Sequence, residues 1–247
     1  MFPADTSLSL LHSTVILAMS ADGKISDFRR TAARFSSKAD LAHLEARIAE
    51  ADAVLIGGGT LRAYGTTLPV RQPALIDQRR QRGQSDQPIH IVWSPSGQLD
   101  PTCRFFRQAV PRGLLTTESG AEAWRQAGFD SIWALPGTTS DWNWALALAQ
   151  LVASGVRRLA VLGGGRLVAD LIAEGLIEEL FLTVCPLVLG GSAAPTPVDG
   201  LGFGAELAPR LELLSCRSEG QEVFLHYRLR QESLQPQQNS FTLENND

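Results

Sequence analysis

The chain has 247 residues, 44% of them hydrophobic and 19% charged, with a net charge of −4 at neutral pH. That is an ordinary globular composition, enough for one large domain or two small ones. The acid excess, with a pI near 5.6, argues against a general nucleic-acid binder, which needs a basic face. Cys103, Cys185 and Cys216 stand far apart. They form neither a metal-ligand spacing nor a secreted disulfide framework, and read as two buried strand cysteines and one loop thiol. The histidines are scattered, and no H-E-x-x-H occurs. No basic region precedes an apolar run at the N-terminus, and no apolar segment is long enough to span a bilayer, so a soluble cytoplasmic protein is expected.

After a short lead-in, residues 14–19 (TVILAM) read as the first strand, apolar on both faces and therefore central in a sheet. The strand stops at Asp22-Gly23, a turn pair whose glycine is free to take positive φ. Asp22 fits equally well as a site carboxylate at a strand end. A polar loop over 27–37 holds Arg29, Arg30 and Arg34. Ser36 or Ser37 then caps a helix over 38–51, with Leu41, Leu44 and Ile48 on one face. A strand at 53–56 ends in Gly57-Gly58-Gly59-Thr60, and Leu61 to Tyr64 reads as a helical turn. Residues 66–87 read mostly as loop, including a solvated basic run Arg79-Arg80-Gln81-Arg82. Strands are expected at 89–93, 113–116 and 131–135. A helix capped by Ser119 runs to Ala127, and another covers 141–154, where Trp142 and Trp144 serve packing.

The organising stretch is 158–191. An apolar run, 159–162, breaks at Gly163-Gly164-Gly165. A helical pattern follows in Leu167, Val168, Leu171 and Ile172, and after Gly175 a second strand spans 180–184. A glycine turn feeding a helix N-terminus is a natural anion site, because the first N–H groups are unpaired and no Cβ blocks a phosphate. Two such turns in one chain favour a nucleotide phosphate over mere tight turning. Neither matches the G-x-G-x-x-G fingerprint, so no Rossmann cofactor site is inferred. Two long strands, 211–217 and 223–230, look antiparallel, and a polar tail over 231–247 is expected to be disordered. The whole reads as one α/β domain over 1–230, with a mixed, mainly parallel sheet flanked by helices. Ligands bind beyond the C-terminal strand ends of such sheets, where Asp22, Thr60, Ser94, Thr116 and the Gly163–Gly165 turn would converge.

Several segments together resemble a known family. Ser20-Ala21-Asp22-Gly23-Lys24-Ile25 resembles the S-L-D-G-K-I opening of the reductase domain of the bifunctional riboflavin-synthesis deaminase/reductase. Arg34-Phe35-Ser36-Ser37 resembles its R-I-S-G segment, and residues 57–71 resemble its G-x-G-T-V-L-A-D-D-P-x-L-T-V-R. Residues 163–176 with 185–191 resemble its glycine-turn and A-P-K-(I/L)-(I/L)-G-G end. The resemblance implies a dihydrofolate-reductase-like fold, a homodimer and NADPH as cofactor. It also implies reduction of the ribosyl group of 5-amino-6-(5-phosphoribosylamino)uracil to ribityl. By the same resemblance, Thr60, Gly163, Gly164, Gly165, Arg166 and Leu167 would hold the cofactor pyrophosphate and its neighbours. Ser94 would sit near the adenosine 2′-phosphate and Ala18 at the nicotinamide. Ser36, Leu68, Arg71 and Leu162 would face the substrate, with Arg71 on its phosphate, and Asp22 would lie at the reacting end.

The departures fall mainly on the substrate side. Leu162 replaces a glutamate, Tyr64-Gly65-Thr66 replaces D-D-P, and an expected arginine falls at Ile48, with Arg47 one position early. A site that loses hydrogen-bonding partners loses discrimination. Two alternatives therefore stand beside the riboflavin step: a same-fold NADPH reductase acting on a pterin or another carbonyl, and a non-catalytic nucleotide-binding relic. The zinc deaminase signature is absent, so no deaminase activity is expected.

Overall fold

The computed structural model describes residues 8–32, 35 and 37–230. The polar tail, Arg34 and Ser36 lie outside the described residues. In chain order the elements are β1 (His12–Ser20), α1 (Lys38–Glu50), β2 (Ala53–Gly57), α2 (Gly58–Tyr64), α3 (Pro73–Gln81), β3 (Ile89–Trp93), β4 (Arg112–Thr117) and α4 (Glu118–Ala121). Then follow β5 (Ser131–Leu135), α5 (Trp144–Ala153), β6 (Arg158–Val161), α6 (Gly165–Ala173), β7 (Glu179–Cys185), β8 (Leu211–Glu219) and β9 (Glu222–Leu229). They build a nine-stranded sheet in the order β5-β4-β3-β2-β6-β1-β7-β9-β8. Pairing is parallel from β5 across to β7 and antiparallel for β7–β9 and β9–β8. This is the mixed, mainly parallel sheet with an antiparallel C-terminal pair that the sequence implies. No helix among the described residues is long and apolar enough to cross a membrane.

Two apolar layers sandwich the sheet. On one face, Val15, Leu55, Ile91 and Val161 pack against Leu148 and Leu151 of α5 and Leu167, Val168, Leu171 and Ile172 of α6. The spacing of three and four read in α6 thus marks its buried stripe. On the other face, Ile16, Val54, Ile56, Val92 and Ala160 pack against Ile48 of α1, Leu61 of α2 and Phe105. Because β1 lies between β6 and β7, consecutive residues Val15 and Ile16 are both buried, one in each layer. Trp144 is buried and meets Trp93 at a ring distance of 4.9 Å, which bears out its packing role.

Some expectations need correction. Residues 73–81 are helical, not loop, and Pro73 at the first helical position was the available signal. Arg79 is only 1% exposed. Its Nη1 donates to Ala49 O at 3.0 Å and Ala51 O at 2.6 Å, and its Nε donates to Ser85 O at 2.7 Å. It therefore closes the C-terminus of α1, where free carbonyls and the helix dipole favour a cation. Thr117, not Ser119, caps α4, accepting from Gly120 N at 3.1 Å, and the helix ends at Ala121 before a short 3-10 turn at Glu122–Trp124. Cys216 is an exposed residue of edge strand β8, whereas Cys185 is buried.

His90 gives the fold a pH dependence. Its ring is buried, with Nδ1 2.7 Å from Thr67 Oγ1, and burial, helped by the charge of Arg79, pulls its pKa from 6.5 to about 4. The unfolded chain then binds a proton that the native state refuses, so stability is complete above pH 6.5 and falls as the pH drops towards 4. Urea unfolding should show a loss of about 3 kcal/mol from this residue between pH 7 and pH 4, reduced in His90→Gln. His43, desolvated beside Phe181 and Phe224 and lowered to about 4, adds in the same direction.

Candidate functional site

Strands β2 and β6 are neighbours, so their glycine exits lie side by side. Gly57 N donates to Gly163 O at 2.9 Å, and a Cβ on Gly57 would stand 3.7 Å from Gly164 N. Gly163 has φ +92° with Leu17 Cδ2 3.0 Å from where a Cβ would be, and its peptide bond to Gly164 is cis. A Cβ on Gly164 would lie 3.3 Å from Thr60 Oγ1, so Thr60 and Gly164 face each other across a narrow gap. Helix α6 starts at this gap with Gly164 as its N-cap and no side chain on its first N–H groups. Backbone donors without a partner among the described residues, and the positive end of the dipole, therefore point at the space beside Thr60. Gly165 closes the opposite side. A Cβ there would sit 2.2 Å from Thr196 O, and Asp199 N donates to Gly165 O at 3.0 Å.

The exits of β3 and β4 join this edge. Ser94 is buried, and a Cβ on Gly58 would meet its Oγ at 3.4 Å. Thr116 Oγ1 donates to Ser94 O at 2.7 Å. The glycine turns, Thr60, Ser94 and Thr116 thus form one continuous rim. Arg166 is exposed, with Nε 3.1 Å from Asp170 Oδ1. Leu167 is 1% exposed, so its side chain belongs to the core and not to the rim.

Ala18 lies on β1 opposite Thr183 of β7, with little side chain to obstruct a flat ring. Two strand positions on, Ser20 leads into Asp22. Ser20 Oγ donates to Asp22 Oδ1 at 2.6 Å, Leu189 N to Oδ1 at 3.0 Å and Gly190 N to Oδ2 at 2.7 Å. The serine bond foremost, then the two amides, hold this carboxyl at about 2. Asp22 stays ionised throughout the physiological range and holds no proton to give. Its geometry suits holding the 189–190 segment beside the end of β1.

On the α1 side of the sheet, Leu68 and Leu162 are half-buried against the same apolar layer. Arg71 is exposed, and its guanidinium makes no hydrogen bond among the described residues. Its backbone is anchored instead. Glu45 Oε1 on α1 accepts from Arg71 N at 2.5 Å and Gln72 N at 2.7 Å. Ser36 lies outside the described residues. Sequence reading missed the Ser37–Glu222–Cys185 cluster, since Glu222 opens β9 just after an unremarkable hairpin turn, with no motif around it. Among the described residues no His, Cys, Asp and Glu side chains group as a metal site. Two open clefts, of about 650 and 290 Å³, lie at the opposite sheet end near His12, Glu179 and Arg158, away from the glycine turns.

The model of the family described as the RibD C-terminal domain matches residues 12–225. A protein of Archaeoglobus fulgidus named 2,5-diamino-6-ribosylamino-4(3H)-pyrimidinone 5′-phosphate reductase is 34% identical over 193 residues, covering 76% of this chain and 86% of that protein. Its namesake from Methanothermobacter thermautotrophicus is 27% identical over 217 residues, covering 85% and 94%. Among solved structures, a pyrimidine reductase-like protein from Corynebacterium diphtheriae superposes with a TM-score of 0.75 at 19% identity, covering 91% of this chain and 94% of that one. The riboflavin biosynthesis reductase Rib7 of Saccharomyces cerevisiae gives 0.64 at 17%, covering 89% and 90%. The two structures share the fold. The family match over most of the chain and the identity to the Archaeoglobus protein go further, and the chain belongs to the RibD C-terminal domain family.

Proposed function

We propose that the chain is a reductase of riboflavin biosynthesis. It uses NADPH to reduce the phosphoribosyl group of a 6-(5-phosphoribosylamino)pyrimidine to a ribityl chain. The observation that carries this reading is the abutment of the two glycine exits, with the uncapped start of α6 facing Thr60 across a Cβ-free gap. Backbone N–H groups and the Thr60 hydroxyl would hold the cofactor pyrophosphate there, with Ser94 serving the adenosine end and Ala18 the nicotinamide. When bound, NADPH would supply a hydride for C1′ of the open-chain imine, with the imine nitrogen taking a proton. The chain's own task is position and electrostatics. Asp22, ionised and held by three donors, fixes the loop at 189–190, and the proton is assigned to water.

The pyrimidine has two candidate forms. The notable one is the 2,5-diaminopyrimidinone, because both archaeal relatives carry its name. The other is 5-amino-6-(5-phosphoribosylamino)uracil. They differ at pyrimidine C2 and share the phosphoribosylamino group that Arg71 would grip. An Arg fork on a phosphate is a charge-assisted pair worth about 2–3 kcal/mol. Arg71→Ala should therefore raise the pyrimidine KM roughly 30- to 100-fold with kcat little changed, as steady-state kinetics will show. A second reading, a same-fold reductase of a pterin or other carbonyl, draws on the apolar wall of Leu68 and Leu162. Turnover of either phosphoribosyl pyrimidine at an ordinary enzymatic rate removes it. We read the working unit as a homodimer, to be checked by light scattering. Edge strand β8, where Leu211 and Leu213 are 43% and 53% exposed, supports that.

A further inference from the structure

We infer that Glu222 is a positioning residue of the reductase site, acting through Ser37 to hold the start of α1 against the ends of β1 and β7; the inference rests on the function proposed above. Glu222 opens β9 and is 3% exposed. A buried carboxylate needs partners, and among the described residues none of its partners is a cation. Its acceptors are filled instead by three donors. Ser37 N reaches Oε1 at 3.0 Å, Ser37 Oγ reaches Oε2 at 2.5 Å, and Cys185 Sγ reaches Oε1 at 3.5 Å.

Ser37 is also the N-cap of α1, and its Oγ accepts from Ala39 N at 3.0 Å and Asp40 N at 3.2 Å. One hydroxyl therefore donates to Glu222 and accepts from the helix. This places a negative charge behind the N-terminus of α1, where the dipole favours it. On the sheet side, Cys185 ends β7 opposite Ser20, the residue that bonds Asp22, and Thr183 lies opposite Ala18. Further along α1, His43 packs edge-on against Phe181 and Phe224 at 5.5 and 5.3 Å, so 181, 183 and 185 turn towards α1. The clamp thus joins the helix over the substrate side to the strand row that carries Ala18 and leads through Ser20 to Asp22. It sets the separation between them, and a small misplacement of this kind weakens a reaction that depends on approach geometry. The glycine turns of β2 and β6, where the cofactor phosphates are assigned, lie across β1 from the β7–β9 side that carries the clamp.

The test is the full chain carrying Glu222→Gln. Glutamine keeps the volume, but its amide turns a donor towards donors. Pyrimidine KM should rise about tenfold or more while the NADPH Kd, from quenching of NADPH fluorescence, stays within about threefold. Ser37→Ala breaks the clamp from its other end and should show the same split, whereas Ser37→Thr keeps the hydroxyl and should restore KM. The double variant should be no worse than the poorer single one, because both remove the same link. Equal rises in KM and NADPH Kd that track a fall in Tm would reduce Glu222 to a structural role and overturn the inference. So would kinetics of both single variants within twofold of the parent. An inactive parent protein removes the proposed function and this inference together; an active parent with unaffected variants removes this inference alone.

Discussion

Replacing Arg79 by methionine is expected to destabilise the protein by about 3 kcal/mol, one of the largest single losses available in this fold. Methionine keeps most of the apolar stem, so the volume loss is small and the polar loss dominates. The carbonyls of Ala49, Ala51 and Ser85 would lose a guanidinium that now satisfies all three. Arg82, whose Nη2 reaches Ala49 O at 2.7 Å, can compensate at only one of them. Lysine should not rescue, since a single ammonium cannot span acceptors that the planar fork bridges. Urea denaturation of parent, Arg79→Met and Arg79→Lys checks this. A change below about 0.5 kcal/mol is what a solvated loop arginine would give, and that outcome would mean the α1–α3 junction is not built as described.

Filling the gap at the glycine turn is expected to have the largest effect on function. Gly164 has φ −79° and ψ −179°, extended backbone open to L residues, and the one tight contact of a Cβ there is Thr60 Oγ1, a hydroxyl that can rotate or shift by a few tenths of an ångström. Gly164→Val should therefore fold, with Tm within a few degrees of the parent. Its methyl groups would occupy the space before Thr60 Oγ1, which lies 3.3 Å from the Cβ position. NADPH Kd should rise about 100-fold or more, equivalent to roughly 3 kcal/mol. Gly163→Ala is a poorer probe, because φ +92° and the 3.0 Å contact with Leu17 would damage the fold as well. Binding of NADPH by Gly164→Val within about twofold of the parent would place the phosphates elsewhere.

What the sequence made legible follows from periodicity and glycine. The stripe Leu167, Val168, Leu171, Ile172 located α6 and its buried face, and the triple glycines located the two strand exits that meet. Arg79 reads as a loop residue because a polar run between Pro73 and Pro88, with Gly83 inside it, resembles a loop, and nothing local tells a buried guanidinium from a solvated one. Its partners at Ala49 and Ala51 are about thirty residues away in sequence. Asp22 was placed at the right strand end, but the donors that surround it include Leu189 and Gly190, which no short motif connects to it. The Glu222–Ser37 clamp spans 185 positions and became visible only once β9 was paired with β7. Long-range polar closure is the part of this fold that a linear reading cannot supply, whereas apolar spacing and turn chemistry are written locally.

The most direct measurement is oxidation of NADPH by the purified chain, followed at its nicotinamide absorbance. It is run with no substrate, with 2,5-diamino-6-ribosylamino-4(3H)-pyrimidinone 5′-phosphate, and with its deaminated uracil counterpart. Oxidation that depends on one of these pyrimidines and yields its ribityl product is the expected result, and the preferred pyrimidine fixes which side of deamination the enzyme works on. Tight NADPH binding with neither pyrimidine turned over would contradict the assigned reaction while leaving the cofactor seat in place.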